Sequence, residues 1–126
     1  MKILIIEDES IMRNSLAEKF ANEGFDVSIG IDGEDGLKKA LQVHPDIILL
    51  DILMPKMDGL MMLKKLRQDS WGAHVKVIIL SNVSDVEKIA EAMTMGWGGQ
   101  FTYLVKTDHT LESVVKEVKN QLNKNN

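Results

Sequence analysis

Residues 47–59 read IILLDILMPKMDG, an apolar run that ends at a carboxylate, Asp51, and continues to the turn-forming pair Asp58-Gly59. A short run of Ile and Leu bounded by polar residues is typical of a β-strand that is covered on both faces. A carboxylate at the end of such a strand is held rigidly and is still reachable from solvent. We therefore predict that Asp51 lies at the edge of a sheet, where it could serve a ligand.

Four other segments have the same short apolar character, and patterns typical of helices separate them. The five predicted strands comprise residues 2–6, 25–29, 46–50, 75–80 and 101–105. In the segments between them, apolar residues recur every three to four positions, as on one face of a helix. The tetrapeptide Ser84-Asp85-Val86-Glu87 predicts a capping box at the start of the fourth helix. This alternation predicts an α/β fold, a doubly wound parallel sheet with helices on both faces.

The composition fits one small domain and excludes several classes of protein. The chain has 126 residues, 44% of them hydrophobic, with a formal net charge of −4 and no cysteine. We assign residues 1–123 to a single domain and residues 124–126 to a polar tail or linker stub. The absence of cysteine excludes disulfides and thiolate metal sites and agrees with a cytoplasmic location. No apolar run is long enough for membrane insertion, and the acidic charge argues against direct binding of nucleic acid.

Polar residues collect where the predicted strands end. The first strand is followed by Glu7-Asp8-Glu9, the third by Asp51, the fourth by Ser81-Asn82 and the fifth by Lys106. The carboxyl ends of parallel strands lie at one edge of a sheet, and ligands of doubly wound folds bind beyond that edge. We therefore predict that these carboxylates and the lysine converge on one pocket.

The clustered carboxylates indicate a site for a divalent metal ion. Carboxylates side by side repel each other unless a cation is present, and Mg²⁺ prefers oxygen ligands. We predict Asp8 and Asp51 as direct ligands, the backbone carbonyl of Leu53 as a third ligand and Glu7 as a partner through water. Mn²⁺ is an alternative ion. Zinc is disfavoured, because thiolates are absent and the histidines lack ligand spacing.

Lys106 indicates that the ligand includes an anionic group. A pocket already neutralised by Mg²⁺ gains little from another cation, whereas a bound phosphoryl group would need one. If Asp51 accepts a phosphoryl group, its equatorial oxygens require the metal ion, the Lys106 ammonium, the Ser81 hydroxyl and backbone amides. The chemistry is therefore assigned to Asp51, Lys106 and Ser81.

In this order, the residues resemble the receiver domains of two-component response regulators. The resemblance rests on Glu7-Asp8, on the pattern Asp-x-x-Met-Pro-x-Met-Asp-Gly that starts at Asp51, on Ser81, and on Tyr103 and Lys106. It implies a five-stranded sheet in the order 2-1-3-4-5. It also implies that Asp51 receives its phosphoryl group from a phosphohistidine on a sensor histidine kinase or a histidine phosphotransfer protein, with Mg²⁺ required.

The same resemblance implies a switch and leaves the output open. In the family, the hydroxyl that matches Ser81 moves toward the phosphoryl group, and the ring that matches Tyr103 turns inward. The surface of the fourth helix, fifth strand and fifth helix then changes. The residues do not specify the downstream effector or a fused output domain, and a homodimer linked to phosphorylation rests on the resemblance alone. Such a domain catalyses only its own phosphorylation and dephosphorylation, so we do not expect an enzyme with turnover.

Some positions depart from the family pattern. Thr107 follows Lys106 where the family has a proline joined by a cis peptide bond, and we expect a trans bond because a non-proline cis bond costs about 3–4 kcal/mol. Asn82 stands where a small residue is usual, which would alter access to the phosphoryl site. The segment 96–100 is longer than usual and carries Trp97, for which both packing and a partner contact stay open.

Two apolar residues bear on the lifetime of the phosphorylated state. Leu53 and Val83 lie two positions beyond Asp51 and Ser81, where side chains in the family influence the orientation of an attacking water. Apolar side chains offer such a water no hydrogen bond. We therefore expect slow loss of the phosphoryl group.

Other functions account for fewer of these residues. A role in a turn or as a helix cap would explain Asp51 alone, but not its occurrence together with Asp8, Ser81 and Lys106 at strand ends. A flavin carrier could share the sheet order, but its first loop would need hydroxyl and glycine residues. An aspartyl phosphohydrolase normally has a second acid where Leu53 stands. The remaining alternative is a degenerate receiver that acts as a phosphorylation-independent binding module.

Overall fold

The computed structural model of the chain describes residues 1–96 and 101–124, and it contains one parallel sheet with helices on both faces. The strands are β1 (Lys2–Ile6), β2 (Asp26–Gly30), β3 (Ile47–Asp51), β4 (Lys76–Ser81) and β5 (Thr102–Val105). The helices are α1 (Ser10–Asn22), α2 (Gly33–Val43), α3 (Gly59–Arg67), α4 (Val86–Thr94) and α5 (Leu111–Asn123). The strand order is β2-β1-β3-β4-β5. The predicted fold class and strand order are confirmed.

Alternate residues of the strands build two separate cores, as the period of a β-strand requires. In β1, Leu4 and Ile6 pack on the side of α2, α3 and α4, whereas Ile3 and Ile5 pack on the side of α1 and α5. All four side chains are at most 1% exposed. The sheet is therefore fixed on both faces, and only its edges and loops are free to carry a site.

Strands β3 and β4 each end one residue later than predicted. Asp51 pairs with Leu80, and Ser81 pairs with Val105, so both polar residues belong to the ladder. The prediction ended these strands at the last apolar residue, but backbone pairing continues regardless of side-chain polarity. Asp51 and Ser81 are consequently held by strand hydrogen bonding rather than by a loop.

The predicted capping box at the start of the fourth helix is wrong. Ser84 lies in a 3-10 turn formed by Val83–Asp85, and α4 begins only at Val86. No described backbone N–H donates a capping hydrogen bond to the Asp85 side chain. The chain turns immediately after β4, because the Asp85 N–H donates to the carbonyl of Asn82 at 3.0 Å. This turn takes up the residues that the pattern assigned to the helix.

Two predicted features fall partly outside the described residues. The connection 97–100, with Trp97, is not among them, and neither are residues 125 and 126 of the predicted tail. Within the described ranges, no helix combines the length and apolar character that a membrane crossing requires.

Candidate functional site

Three carboxylates meet beyond the carboxyl ends of β1 and β3. Oxygen atoms of Glu7, Asp8 and Asp51 all lie within 4.8 Å of one another. Glu7 and Asp51 are only 2% and 6% exposed, whereas Asp8 faces solvent. Glu9, by contrast, is exposed and lies outside this group. The described structure thus brings together the three acidic side chains predicted as metal ligands or partners.

Lys106 reaches the same pocket from the end of β5. Its Nζ lies 3.2 Å from Asp51 Oδ1 and 3.3 Å from Glu7 Oε1. The side chain is 19% exposed, so these ion pairs are largely shielded from water. The predicted trans bond between Lys106 and Thr107 is confirmed, since no peptide bond in the described residues is cis. The departure from the family pattern at Thr107 therefore leaves the ammonium in contact with both carboxylates.

Burial makes the charge of this pocket costly. Desolvation, and after it the charge of Asp51, raises the pKa of Glu7 from 4.5 to about 7. Burial also lowers the pKa of Lys106, but attraction by Asp51 and then Glu7 outweighs it, so the net pKa lies above the ordinary value. The pocket therefore favours an added cation, because two buried carboxylates share one ammonium.

Replacing Glu7 with glutamine is expected to stabilise the metal-free protein, and more so at about pH 8 than at about pH 5. The folded-state pKa of Glu7 lies above the unfolded value, so the unfolded chain releases the proton first as the pH rises from 4.5 to about 7. Folding stability due to Glu7 is therefore present at low pH and lost over that range. Allowing for screening by water, we expect about 1–2 kcal/mol at the higher pH.

Urea unfolding in the presence of EDTA measures this effect. Glu18→Gln is the matched control, because it makes the same chemical change at an exposed position of α1. An equal stability difference for Glu7→Gln at both pH values would contradict the assignment of the raised pKa to Glu7.

A side chain that the sequence did not single out holds the acidic loop after β1. Arg13 Nη1 donates to the carbonyl oxygens of Glu7 at 3.1 Å and Asp8 at 3.2 Å. The Glu9 N–H donates to Glu7 Oε2 at 3.2 Å. In sequence, Arg13 looks like an ordinary charged residue of an amphipathic helix, so no local signal reveals its contact. The guanidinium fixes the backbone from which two of the carboxylates project.

Ser81 is the polar residue at the site whose hydrogen bonding is incomplete. It is 0% exposed, and its Oγ is the one buried side-chain polar atom without a hydrogen-bond partner in residues 1–96 and 101–124. A buried hydroxyl without a partner costs about 1–3 kcal/mol. A ligand bound at this edge of the sheet could complete its hydrogen bonding.

The loop after β3 is fixed close to Asp51. The Ile52 N–H donates to Asp51 Oδ1 at 2.8 Å, and the Gly59 N–H donates to the Ile52 carbonyl at 2.8 Å. Asp58 caps α3 by accepting from the Met61 N–H at 2.8 Å. The Ile52 carbonyl is thus occupied by the Gly59 N–H, and the carbonyl predicted as a metal ligand is the next one along the chain, that of Leu53.

The remaining predicted site residues lie around this pocket or behind it. Leu53 and Val83 are 49% and 65% exposed, and Asn82, which precedes Val83, is exposed too. Tyr103 pairs with Ile79 in the ladder and packs, partly buried, against the core on the side of α2, α3 and α4. Tyr103 therefore shares a strand with Val105, the ladder partner of Ser81.

The strand order and the acidic pocket define a small doubly wound α/β domain with its site beyond the carboxyl ends of the central strands. A family model described as the response regulator receiver domain matches residues 3–118. The chain therefore belongs to the response regulator receiver domain family, and its class of function is that of a signalling switch in two-component systems.

Relatives of known sequence include longer regulators. The chain is 36% identical to the regulatory protein AtoC of Escherichia coli over 105 residues. This match covers 83% of this chain and 22% of AtoC. It is 34% identical to the chemotaxis protein CheV3 of Helicobacter pylori, over 98% of this chain and 42% of CheV3. The transcriptional regulatory protein DltR of Streptococcus agalactiae is 30% identical, over 90% of this chain and 50% of DltR. The chain thus spans half or less of each of these relatives.

Solved structures agree over nearly the whole chain. The receiver domain of the Francisella response regulator 1452 is 27% identical with a TM-score of 0.80, covering 96% of this chain and 95% of that one. A receiver domain protein from Clostridium thermocellum has a TM-score of 0.84 at 27% identity, over 97% and 94% of the two chains. A chain in the CheX-CheY-BeF3-Mg complex from Borrelia burgdorferi has a TM-score of 0.83 at 27% identity, over 98% and 90%.

Proposed function

We propose that Asp51 accepts a phosphoryl group from a phosphohistidine on a sensor histidine kinase or a histidine phosphotransfer protein. The observation that carries this proposal is the buried, unpartnered hydroxyl of Ser81 at the edge where Lys106 contacts Asp51. An ion-pair cluster that served stability alone would have no use for an unsatisfied hydroxyl beside it. A phosphoryl group on Asp51 supplies the acceptor oxygens that the hydroxyl lacks.

The carboxylate cluster suits a hard divalent ion. Asp8 and Asp51 would bind Mg²⁺ directly, the Leu53 carbonyl would be a further ligand, and Glu7 would act through water, with Mn²⁺ as a substitute. When bound, such an ion neutralises the carboxylates and the charge on the phosphoryl oxygens. The donor set contains only oxygen, which fits this choice of metal.

Three side chains of the pocket have separate roles in the proposed phosphoryl transfer. A carboxylate oxygen of Asp51 forms the new bond to phosphorus while the bond from phosphorus to the donor imidazole nitrogen breaks. Lys106 is placed to neutralise the negative charge of the transferred phosphoryl group, because its Nζ already lies 3.2 Å from Asp51 Oδ1. The Ser81 hydroxyl donates to a phosphoryl oxygen. This division gives a role to Asp51, Ser81 and Lys106, which the ends of β3, β4 and β5 bring to the pocket.

The signal would leave the pocket through Ser81 and Tyr103. Movement of the Ser81 hydroxyl toward the phosphoryl group changes the end of β4, and Tyr103 lies on the neighbouring strand β5. Two arrangements that differ by only a few kcal/mol suffice for one charged group to redistribute them. The proposed output surface is formed by α4, β5 and α5, and it would serve a separate effector, a fused output domain or a second copy of the chain.

The likeness to a solved complex supports this proposal. The Borrelia burgdorferi neighbour was solved with BeF3 and Mg²⁺, and it shares the fold over 98% of this chain. We further propose that residues 1–123 form the receiver domain and that residues 124–126 are a polar tail or a linker stub. We also propose that the domain works in the cytoplasm, in keeping with its lack of cysteine.

Labelling with acetyl phosphate tests the proposal and also the lifetime of the product. We expect one phosphoryl group per chain, mapped to Asp51, in the presence of Mg²⁺ and none with EDTA. With beryllofluoride and Mg²⁺, amide resonances of Ser81 and Tyr103 should shift. If the chain takes up no label and its amide resonances do not shift, a phosphorylation-independent binding module is favoured. Turnover of a generic phosphatase substrate would favour a hydrolase.

The label is expected to decay slowly, because the exposed side chains of Leu53 and Val83 cannot hydrogen-bond an attacking water. Replacing Leu53 with asparagine should shorten the half-life, whereas the same change at Leu41, an exposed leucine of α2, should not. A half-life of seconds for the unchanged chain would contradict this expectation.

A further inference from the structure

We propose that Gly33, the first residue of α2, is a positioning residue for the acceptor loop, which we define as residues 52–58. This loop carries the Leu53 carbonyl, so the inference rests on the proposed function and concerns the same metal site. Gly33 belongs to a different strand–helix unit from Asp51 and contributes no functional group of its own. Its part would be to leave space.

The space at Gly33 is occupied by the backbone of the acceptor loop. A Cβ built on Gly33 would lie 2.1 Å from the carbonyl oxygen of Met57 and 2.9 Å from its carbonyl carbon. Contacts this short do not occur between real atoms, and backbone cannot yield as the end of a flexible side chain does. Any other residue at position 33 therefore displaces the loop or the start of α2.

Neighbouring contacts also join the acceptor loop to the N-terminus of α2. Asp32 is 5% exposed and caps α2 through Oδ1, which accepts from the Asp35 N–H at 2.7 Å. Its Oδ2 lies 3.7 Å from Lys56 Nζ. Lys56 adopts a left-handed φ of 66°, and the Met57 N–H donates to the Pro55 carbonyl at 2.7 Å. The tightest turn of the loop is thus the part that touches α2.

The other contact that fixes the loop lies at Gly59. A Cβ there would lie 2.2 Å from the carbonyl oxygen of Asp51, so the loop closes back onto its own strand. Leu53 lies between the two contacts, and its side chain, 49% exposed, adds little packing of its own. The direction of the Leu53 carbonyl therefore depends on where Gly33 and Gly59 hold the backbone.

Gly33→Ala in the full chain tests the proposal, with Gly72→Ala as the matched control. A Cβ at Gly72 would lie 2.2 Å from the Leu66 carbonyl, a backbone clash of the same size between α3 and β4, outside the acidic pocket. Both variants should lose stability. Only Gly33→Ala should weaken Mg²⁺ binding, by about tenfold in Kd, as is typical when support of a metal ligand is removed.

Isothermal titration with Mg²⁺ measures the affinity, at a temperature where circular dichroism shows each variant folded. Equal Kd values for Gly33→Ala and Gly72→Ala overturn the inference. If the unchanged chain binds no Mg²⁺, the proposed function itself fails, so the two failures are distinguishable. Amide resonances of residues 53–57 should shift in Gly33→Ala before any metal is added.

If Gly33→Ala does not fold, Lys56→Val displaces the same loop from its exposed side. A β-branched residue is strongly disfavoured at a φ of 66°, and the Lys56 side chain is 66% exposed, so the core is untouched. We expect the same loss of Mg²⁺ affinity. Unchanged affinity in Lys56→Val would show that the loop position does not matter, and would overturn the proposal.

Discussion

Replacing Asp51 with asparagine is expected to reduce acetyl-phosphate labelling of the chain to background. The amide is almost isosteric with the carboxylate but is not a nucleophile, so the bond to phosphorus cannot form. The fold should survive, because the amide oxygen can still accept from the Ile52 N–H and the change removes a charge that repels Glu7. We expect stability within about 1 kcal/mol of the unchanged chain.

Asp58→Asn is the control for this experiment, since it makes the same change seven residues further along the chain. The amide oxygen introduced by Asp58→Asn would still cap α3, because asparagine and aspartate are equivalent caps, so labelling should be unaffected. Peptide mapping after labelling completes the test. Label recovered on Asp8 or Glu7 in Asp51→Asn would show that another carboxylate is the acceptor.

Replacing Lys106 with methionine is expected to destabilise the metal-free protein by about 2–3 kcal/mol near pH 8, and by less near pH 5. Methionine keeps much of the apolar stem but leaves Glu7 and Asp51 without the cation that both contact. At low pH, Glu7 is protonated in the folded state, since its pKa is about 7, and much of the penalty disappears. Labelling should also fall steeply, because the phosphoryl oxygens lose their ammonium partner.

Adding Mg²⁺ should restore more stability to Lys106→Met than to the unchanged chain, because the ion neutralises the same carboxylates. Urea unfolding with and without Mg²⁺ measures this difference. Lys119→Met is the control, since that exposed lysine pairs with Glu23 at 2.7 Å and such surface pairs contribute about 0.2–1 kcal/mol. A pH-independent loss, or no response to Mg²⁺, would contradict the assigned role of Lys106.

The sequence was enough to predict the fold and the membership of the pocket. Each strand is a short apolar run, and strand order follows from the family pattern that begins at Asp51. Glu7, Asp8 and Lys106 could be placed together because parallel strands end at one edge. The strands and helices were predicted correctly because their periodicity is encoded locally in the chain, whereas the strand order was implied by the family resemblance.

Contacts that depend on how closely two elements approach in space could not be predicted in this way. The hydrogen bonds from Arg13 to two carbonyls and the close approach of Gly33 to Met57 depend on the distance between two elements. No residue pattern reports that distance. The missing partner of Ser81 is likewise a property of its surroundings. The start of α4 was mispredicted because Ser84 has the chemistry of a cap but lies in a turn set by the end of β4.

The contact between Lys106 and Glu7 joins residues 99 positions apart, so the pocket exists only when the first and last strands belong to the same sheet. During synthesis, Asp51 would therefore emerge long before its cation, and a nascent chain would be no substrate for a phosphate donor until β5 had docked. Within the described residues, β5 is an edge strand that pairs only with β4, so local detachment of this strand would dismantle the pocket while the central strands stay paired. Competence to receive a signal would then report completion of the fold.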